Sequence, residues 1–90
     1  STTAPQALLL MNDPQVRSLA RALAQRVVQM ELGSFAERIR TLYQLLYARP
    51  AEVREIETGL AFLDASEHVH TAWTEYCHAL LCTNELIYQY

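Results

Sequence analysis

The sequence predicts an all-α fold: a small orthogonal or up-down bundle of about four main helices, with short helical turns at both ends. Three observations carry this. Apolar residues recur every three or four positions through most of the chain, the period of a helix that buries one face. Only two glycines and three prolines occur in 90 residues, and each proline falls where a helix would start or stop. Half the residues are apolar, with 51% hydrophobic, enough for one core in a single domain.

Taken in order, Ser1–Ala4 reads as extended, with Thr3 capping a short helix Pro5–Met11. Asn12-Asp13-Pro14 is a sharp boundary, Asp13 serving as N-cap and Pro14 as the first helical residue. The helix it opens places Val16, Leu19, Ala20, Leu23, Val27 and Met30 on one face and Arg17, Arg21 and Gln25 on the other. Gly33 is expected to supply a left-handed stop. Ser34–Pro50 is the most fully punctuated helix, and the others are expected to lie against it. Ser34 and Glu37 have capping-box spacing, Phe35, Ile39, Leu42 and Leu46 form its stripe with Tyr43 beside them, and Pro50 ends it. So short a connection at Gly33 predicts that this helix and the one before it pack antiparallel as neighbours.

A further helix runs from Ala51 to Ala65 with Val53, Ile56, Leu60 and Leu63 as its core face. Glu52, Glu55 and Glu57 sit near its start, where the helix dipole favours negative charge. Gly59 in its middle costs about 1 kcal/mol against alanine, and either a close backbone crossing or chance substitution accounts for it. Ser66–His70 reads as a loop. Thr71 is expected to cap the last main helix, whose buried stripe is Trp73, Tyr76, Cys77, Leu80 and Leu81. Thr83-Asn84 breaks that helix, and Glu85–Tyr88 reads as one more turn that docks Leu86 or Ile87.

Charge and composition exclude several functions. Ten acidic residues against seven arginines, with no lysine, give a net charge of −3. A mildly acidic chain without a basic block is a poor match for phosphate-backbone binding, so a nucleic-acid-binding helix-turn-helix is disfavoured. The longest apolar run, Ala7–Met11, falls far short of the roughly 20 residues that span a bilayer. There is no signal peptide, and the chain opens on Ser1, so it is expected to be a single helical domain, residues 1–90, excised from a longer protein. Cys77 and Cys82 lie about 140° apart around one helix axis and about 7.5 Å along it, which argues against a disulfide between them.

The residues that could carry chemistry have simpler explanations. His68, His70, Cys77, His78 and Cys82 are the ligand types zinc prefers, but no pair has metal-site spacing, and Cys77 faces the core. Covalent haem needs Cys-x-x-Cys-His, and Thr74 stands where the first cysteine would be. The serines have cap, loop or surface roles, and with only Gly33 and Gly59 available there is no glycine-rich phosphate loop. No catalytic residue, metal ligand or cofactor is therefore expected. Five positions carry a structural or interaction reading: Arg49, Asn84, Glu85, Tyr88 and Tyr90. Arg49 is expected to bond the last carbonyls of its helix or to pair with Glu85 or Glu75. Tyr43 and Tyr76 fit buried stripes, whereas Tyr47, Tyr88 and Tyr90 could line a surface. The end segment Tyr88-Gln89-Tyr90 either frays or packs on a neighbouring domain.

Three stretches together carry a resemblance: TTAPQALLLMNDPQV at 2–16, RIRTLYQLLYARPAEVRE at 38–55 and AWTEYCHALLCTNELIY at 72–88. They resemble a planctomycete-type domain of unknown function at the C-terminal end of large secreted proteins, many of which carry a cytochrome c domain. The matching positions include Thr3, Pro5, Gln6, Ala7, Leu8, Asn12, Asp13 and Pro14 in the first stretch. Tyr43, Arg49, Pro50 and Glu52 follow in the second, then Trp73, Cys77, Ala79, Leu80, Leu81, Asn84 and Glu85. Ala48 replaces the family's usual glycine before Arg-Pro, so a different turn is expected there. Cys82 replaces a usual asparagine, weakening any polar network shared with Asn84. The resemblance implies a periplasmic or extracellular location and other domains of the parent protein as partners; it supplies no catalytic residues. The expected role is a non-catalytic accessory or docking domain. The alternative is a redox-associated module packed against a haem domain of the parent, and the oligomeric state is left open.

Overall fold

The computed structural model describes residues 10–30 and 33–83, which form four helices: α1 (Pro14–Gln29), α2 (Phe35–Tyr47), α3 (Val53–Asp64) and α4 (Val69–Leu81). No strand occurs among the described residues. Helical backbone at Leu10 and Met11 precedes the Asn12-Asp13 boundary. The predicted turn around Glu85–Tyr88 and the start of the predicted helix at Pro5 lie outside the described residues.

α1 starts as its sequence requires. Asp13 is extended, its Oδ1 accepts the Gln15 N–H at 2.7 Å, and Pro14 opens the helix. Its end differs from expectation. The chain leaves the helix at Met30 in an extended conformation, φ −67° and ψ 137°, and no glycine among the described residues has a positive φ. Any residue can adopt that exit, so no left-handed stop forms at Gly33. The buried face is Ala20, Ala24 and Val27, flanked by Val16 and Leu23, while Leu19 is 54% exposed. The small alanines let another helix approach closely, and this turns the buried face away from Leu19.

α2 begins with Ser34, whose Oγ accepts the Glu37 N–H at 3.2 Å. Ile39 and Leu42 are fully enclosed, Tyr43 and Tyr47 are buried, and Phe35 stays 39% exposed at the helix start. The helix closes at Ala48, which adopts the left-handed conformation, φ 55° and ψ 37°, and donates its N–H to Gln44. Ala48 thus takes the left-handed conformation that glycine favours, with an alanine in its place. In α3, Ile56, Gly59 and Leu63 face inward, whereas Val53, placed in the core by its spacing, is 72% exposed in the first turn.

α4 starts two residues before Thr71, from His68, and Thr71 is exposed on the helix. Ser66 Oγ accepts the His68 N–H at 3.3 Å, so the turn before the helix is held by Ser66 instead of a threonine cap. Ala72, Trp73, Tyr76, Cys77, Leu80 and Leu81 are all buried, as the stripe predicts. The predicted centre of the fold is corrected here. α1 packs most extensively on α4, α3 also packs on α4, and the α1–α2 contact is smaller. α4 is apolar around more of its circumference than α2, so it takes the position with the more extensive contacts.

Gly59 has a specific cause. A Cβ built on it would lie 2.6 Å from Tyr76 Oη and 2.9 Å from Ile39 Cδ1. The close approach is made by side chains of α4 and α2, not by a crossing backbone.

Candidate functional site

The densest polar arrangement lies at the corner between α2 and α3. The left-handed Ala48 turns the chain out of α2, and Pro50 prevents helix from resuming immediately. Arg49 is left beside the first turn of α3. Its Nη1 donates to Glu55 Oε1 at 2.8 Å, its Nη2 to Oε2 at 2.8 Å, and its Nη1 also to the Pro50 carbonyl at 2.9 Å. Such a two-pronged pair uses the planar fork of the guanidinium in full. Glu55 Oε1 also accepts the Glu52 N–H at 2.8 Å, satisfying an orphan donor at the start of α3. The Arg49 hydrogen bonds hold the Glu55 carboxyl below the usual carboxylate range, against a partial opposing effect of burial.

Aromatic rings complete the corner. The Arg49 guanidinium lies 5.3 Å from the Tyr43 ring centre and 5.6 Å from that of Tyr47, within range of attraction to the ring faces. The two tyrosines meet edge to face at 5.1 Å. Tyr47 Oη donates to the Leu80 carbonyl at 2.8 Å and lies 2.9 Å from Thr83 Oγ1, which itself donates to Leu80 at 2.9 Å. These bonds occupy a carbonyl in the last turn of α4. One connected set of side chains therefore joins the end of α2, the start of α3 and the end of α4.

Among the described residues the carboxylate that meets Arg49 is Glu55, six residues on, and not Glu75 on α4; Glu85, the other carboxylate expected there, lies outside them. The turn delivers Arg49 directly to the first turn of the next helix, a shorter path than reaching across the bundle. Tyr47 does not line a surface; it is buried and anchors α4. The sequence held a signal for the pair, an Arg-Pro followed by an acid in the first turn of the next helix. Asn84, Glu85, Tyr88 and Tyr90 lie outside the described residues.

The histidines and cysteines do not converge. Among the described residues, no three His, Cys, Asp or Glu side chains are grouped to hold a metal ion. Cys77 is fully enclosed, and burial pushes its thiol up to about 12. Cys82 is also buried and its thiol is raised, burial outweighing the nearby positive charge of Arg17. Both are free thiols, and a thiol held in its protonated form is a weak nucleophile and a weak metal ligand. His68 and His70 are exposed on either side of the α4 start.

The arrangement defines a small all-α domain whose best-organised polar groups join its own helices. The chain belongs to the PSD1 family, described as a protein of unknown function (DUF1553), whose model matches residues 1–63. The match contains both halves of the Arg49–Glu55 pair and reaches almost to the end of α3. No curated protein and no solved structure matches the chain.

Proposed function

We propose that this domain is a non-catalytic accessory module that packs against other domains of a longer exported protein; the exported location rests on the family resemblance. The observation that carries the reading is a half-exposed aromatic chain beside α3. Phe35 meets Trp73 edge to face at 5.5 Å, Trp73 meets Tyr76 at 6.0 Å, and Tyr76 meets Phe62 at 5.8 Å. The inner two rings are core, while Phe35 and Phe62 at the ends are 39% and 42% exposed. Shallow cavities of about 360 and 330 Å³ flank them, the first against Leu60 and Ala61, the second against Ala65 and Ala72. Rigid aromatic side chains backed by a packed core are the anchors that protein interfaces favour.

Calorimetric titration of the domain into the remainder of its parent protein tests this. Binding should show a negative heat-capacity change and weaken about tenfold for Phe62→Ser. No heat at roughly tens of micromolar, with the domain folded, would remove the docking role.

A further inference from the structure

A second face differs chemically from the aromatic one. α1 carries three arginines and no carboxylate, in a chain whose net charge is −3. Two of them, Arg17 and Arg21, border a cavity of about 250 Å³ whose opposite wall is Thr74, Glu75 and His78 of α4. A second cavity of about 300 Å³ continues from Arg21 and Thr74 towards Gln25, Gln29 and His70. Because Arg17 shares a cavity with His78 and Gln29 shares one with His70, α1 and α4 run in opposite directions, and the two cavities form one groove. Ala20, Ala24 and Val28 lie along its α1 side.

Both rims are polar, and the Thr74 hydroxyl donates to the His70 carbonyl at 3.2 Å. Arg17, Arg21, Gln25 and Gln29 recur every four residues on one side, and His70, Thr74 and His78 do so on the other. Among the described residues Glu75 is the only carboxylate that lines either cavity, so the Arg17 end keeps a cationic surplus. The arginines are not used by the fold. Arg21 bonds Ser18 at 3.2 Å, and the one ion pair among the described residues is Arg49–Glu55.

We infer that this groove between α1 and α4 binds an acidic, extended segment of a partner protein, its carboxylates meeting Arg17 and Arg21. Charge complementarity selects that occupant, because Arg17 and Arg21 face one carboxylate, Glu75, across the cavity and the surplus positive charge is met by carboxylates of a bound chain. From Arg17 to Gln29 the helix rises about 18 Å, the span of about five or six residues of extended chain. Arg17, Arg21, Gln25 and Gln29 are exposed along this length, so their side chains are open to such a chain. This identification rests on the interaction role proposed above and adds the partner's chemistry.

The test is fluorescence anisotropy with a labelled short peptide alternating glutamate and alanine, titrated with the whole chain at low salt. Saturable binding is expected, weakening as salt rises. The double change Arg17→Gln with Arg21→Gln should weaken it about tenfold. Arg26→Glu removes the same two units of charge on the far side of α1 and should change affinity less than about twofold. Circular dichroism confirms that each variant is folded. Equal losses from both variants would mean diffuse electrostatics and overturn the inference. So would the absence of saturation, or equal binding of the lysine-alanine counterpart. The calorimetric effect of Phe62→Ser reads the aromatic face, so the docking role can survive when the groove assignment fails.

Discussion

Ala48 adopts a backbone conformation that disfavours its own side chain. Left-handed backbone costs an alanine roughly 1–2 kcal/mol, and glycine avoids that cost while losing more freedom on folding. With φ at 55°, Ala48→Gly should stabilise the domain by about 0.5–1 kcal/mol, read as a higher urea midpoint at unchanged slope. Two tyrosines make a contrasting pair. Tyr47 Oη holds an α4 carbonyl, so Tyr47→Phe should cost about 1–1.5 kcal/mol. Tyr76 Oη is buried without a hydrogen-bond partner, so Tyr76→Phe should be neutral or slightly stabilising. Denaturation of the two variants side by side checks both, and equal losses would contradict the assigned bonds.

The corner between α2 and α3 is where one side chain serves two elements. Glu55 closes the start of α3 through the Glu52 N–H and fixes Arg49 at the end of α2. Both side chains are about a third exposed, 32% for Arg49 and 27% for Glu55, so solvent weakens the pair. Glu55→Gln should cost about 1 kcal/mol. The acid limb follows from the same bond. Because the folded carboxyl is lowered, its contribution is fully present above the unfolded value of 4.5 and is lost as pH falls through the lower folded value. Stability measured between neutral and acid pH should therefore fall less steeply in Glu55→Gln than in the parent chain. Helix boundaries at Asp13-Pro14, Ser34 and Pro50 could be read from residue types, since a cap answers to groups within three or four positions. The faces were less readable. Leu19 and Val53 have the right spacing for the core but are exposed, because helix approach, not periodicity, chooses the centre of a buried face.

In the molecule as a whole, α4 is the element the others cover. Its Cys77 keeps its proton to about pH 12 when folded, against 9.0 for an ordinary thiol. Above pH 9.0 the unfolded chain releases that proton and the folded chain does not. Unfolding then becomes more favourable with each step of pH, so stability should fall from about pH 9 upward. Burial raises Tyr76 as well, adding a loss in the same direction at higher pH. Urea midpoints across this range measure the slope, and Cys77→Ala should flatten its lower part. A slope unchanged in that variant would show that Cys77 does not control it.

Residue types and spacing settled the all-α class, the four helices and most of their ends, because those features depend on neighbours along the chain. The buried stripe Trp73, Tyr76, Cys77, Leu80 and Leu81 was equally plain. Tertiary structure decided which helix lies at the centre, why Gly59 has no side chain, and that Arg49 pairs with Glu55. It also set Arg17 and Arg21 of α1 across a cavity from Glu75 and His78 of α4. Each of these depends on distances between elements, and the one-dimensional pattern of a helix face records that a side is buried without recording what buries it.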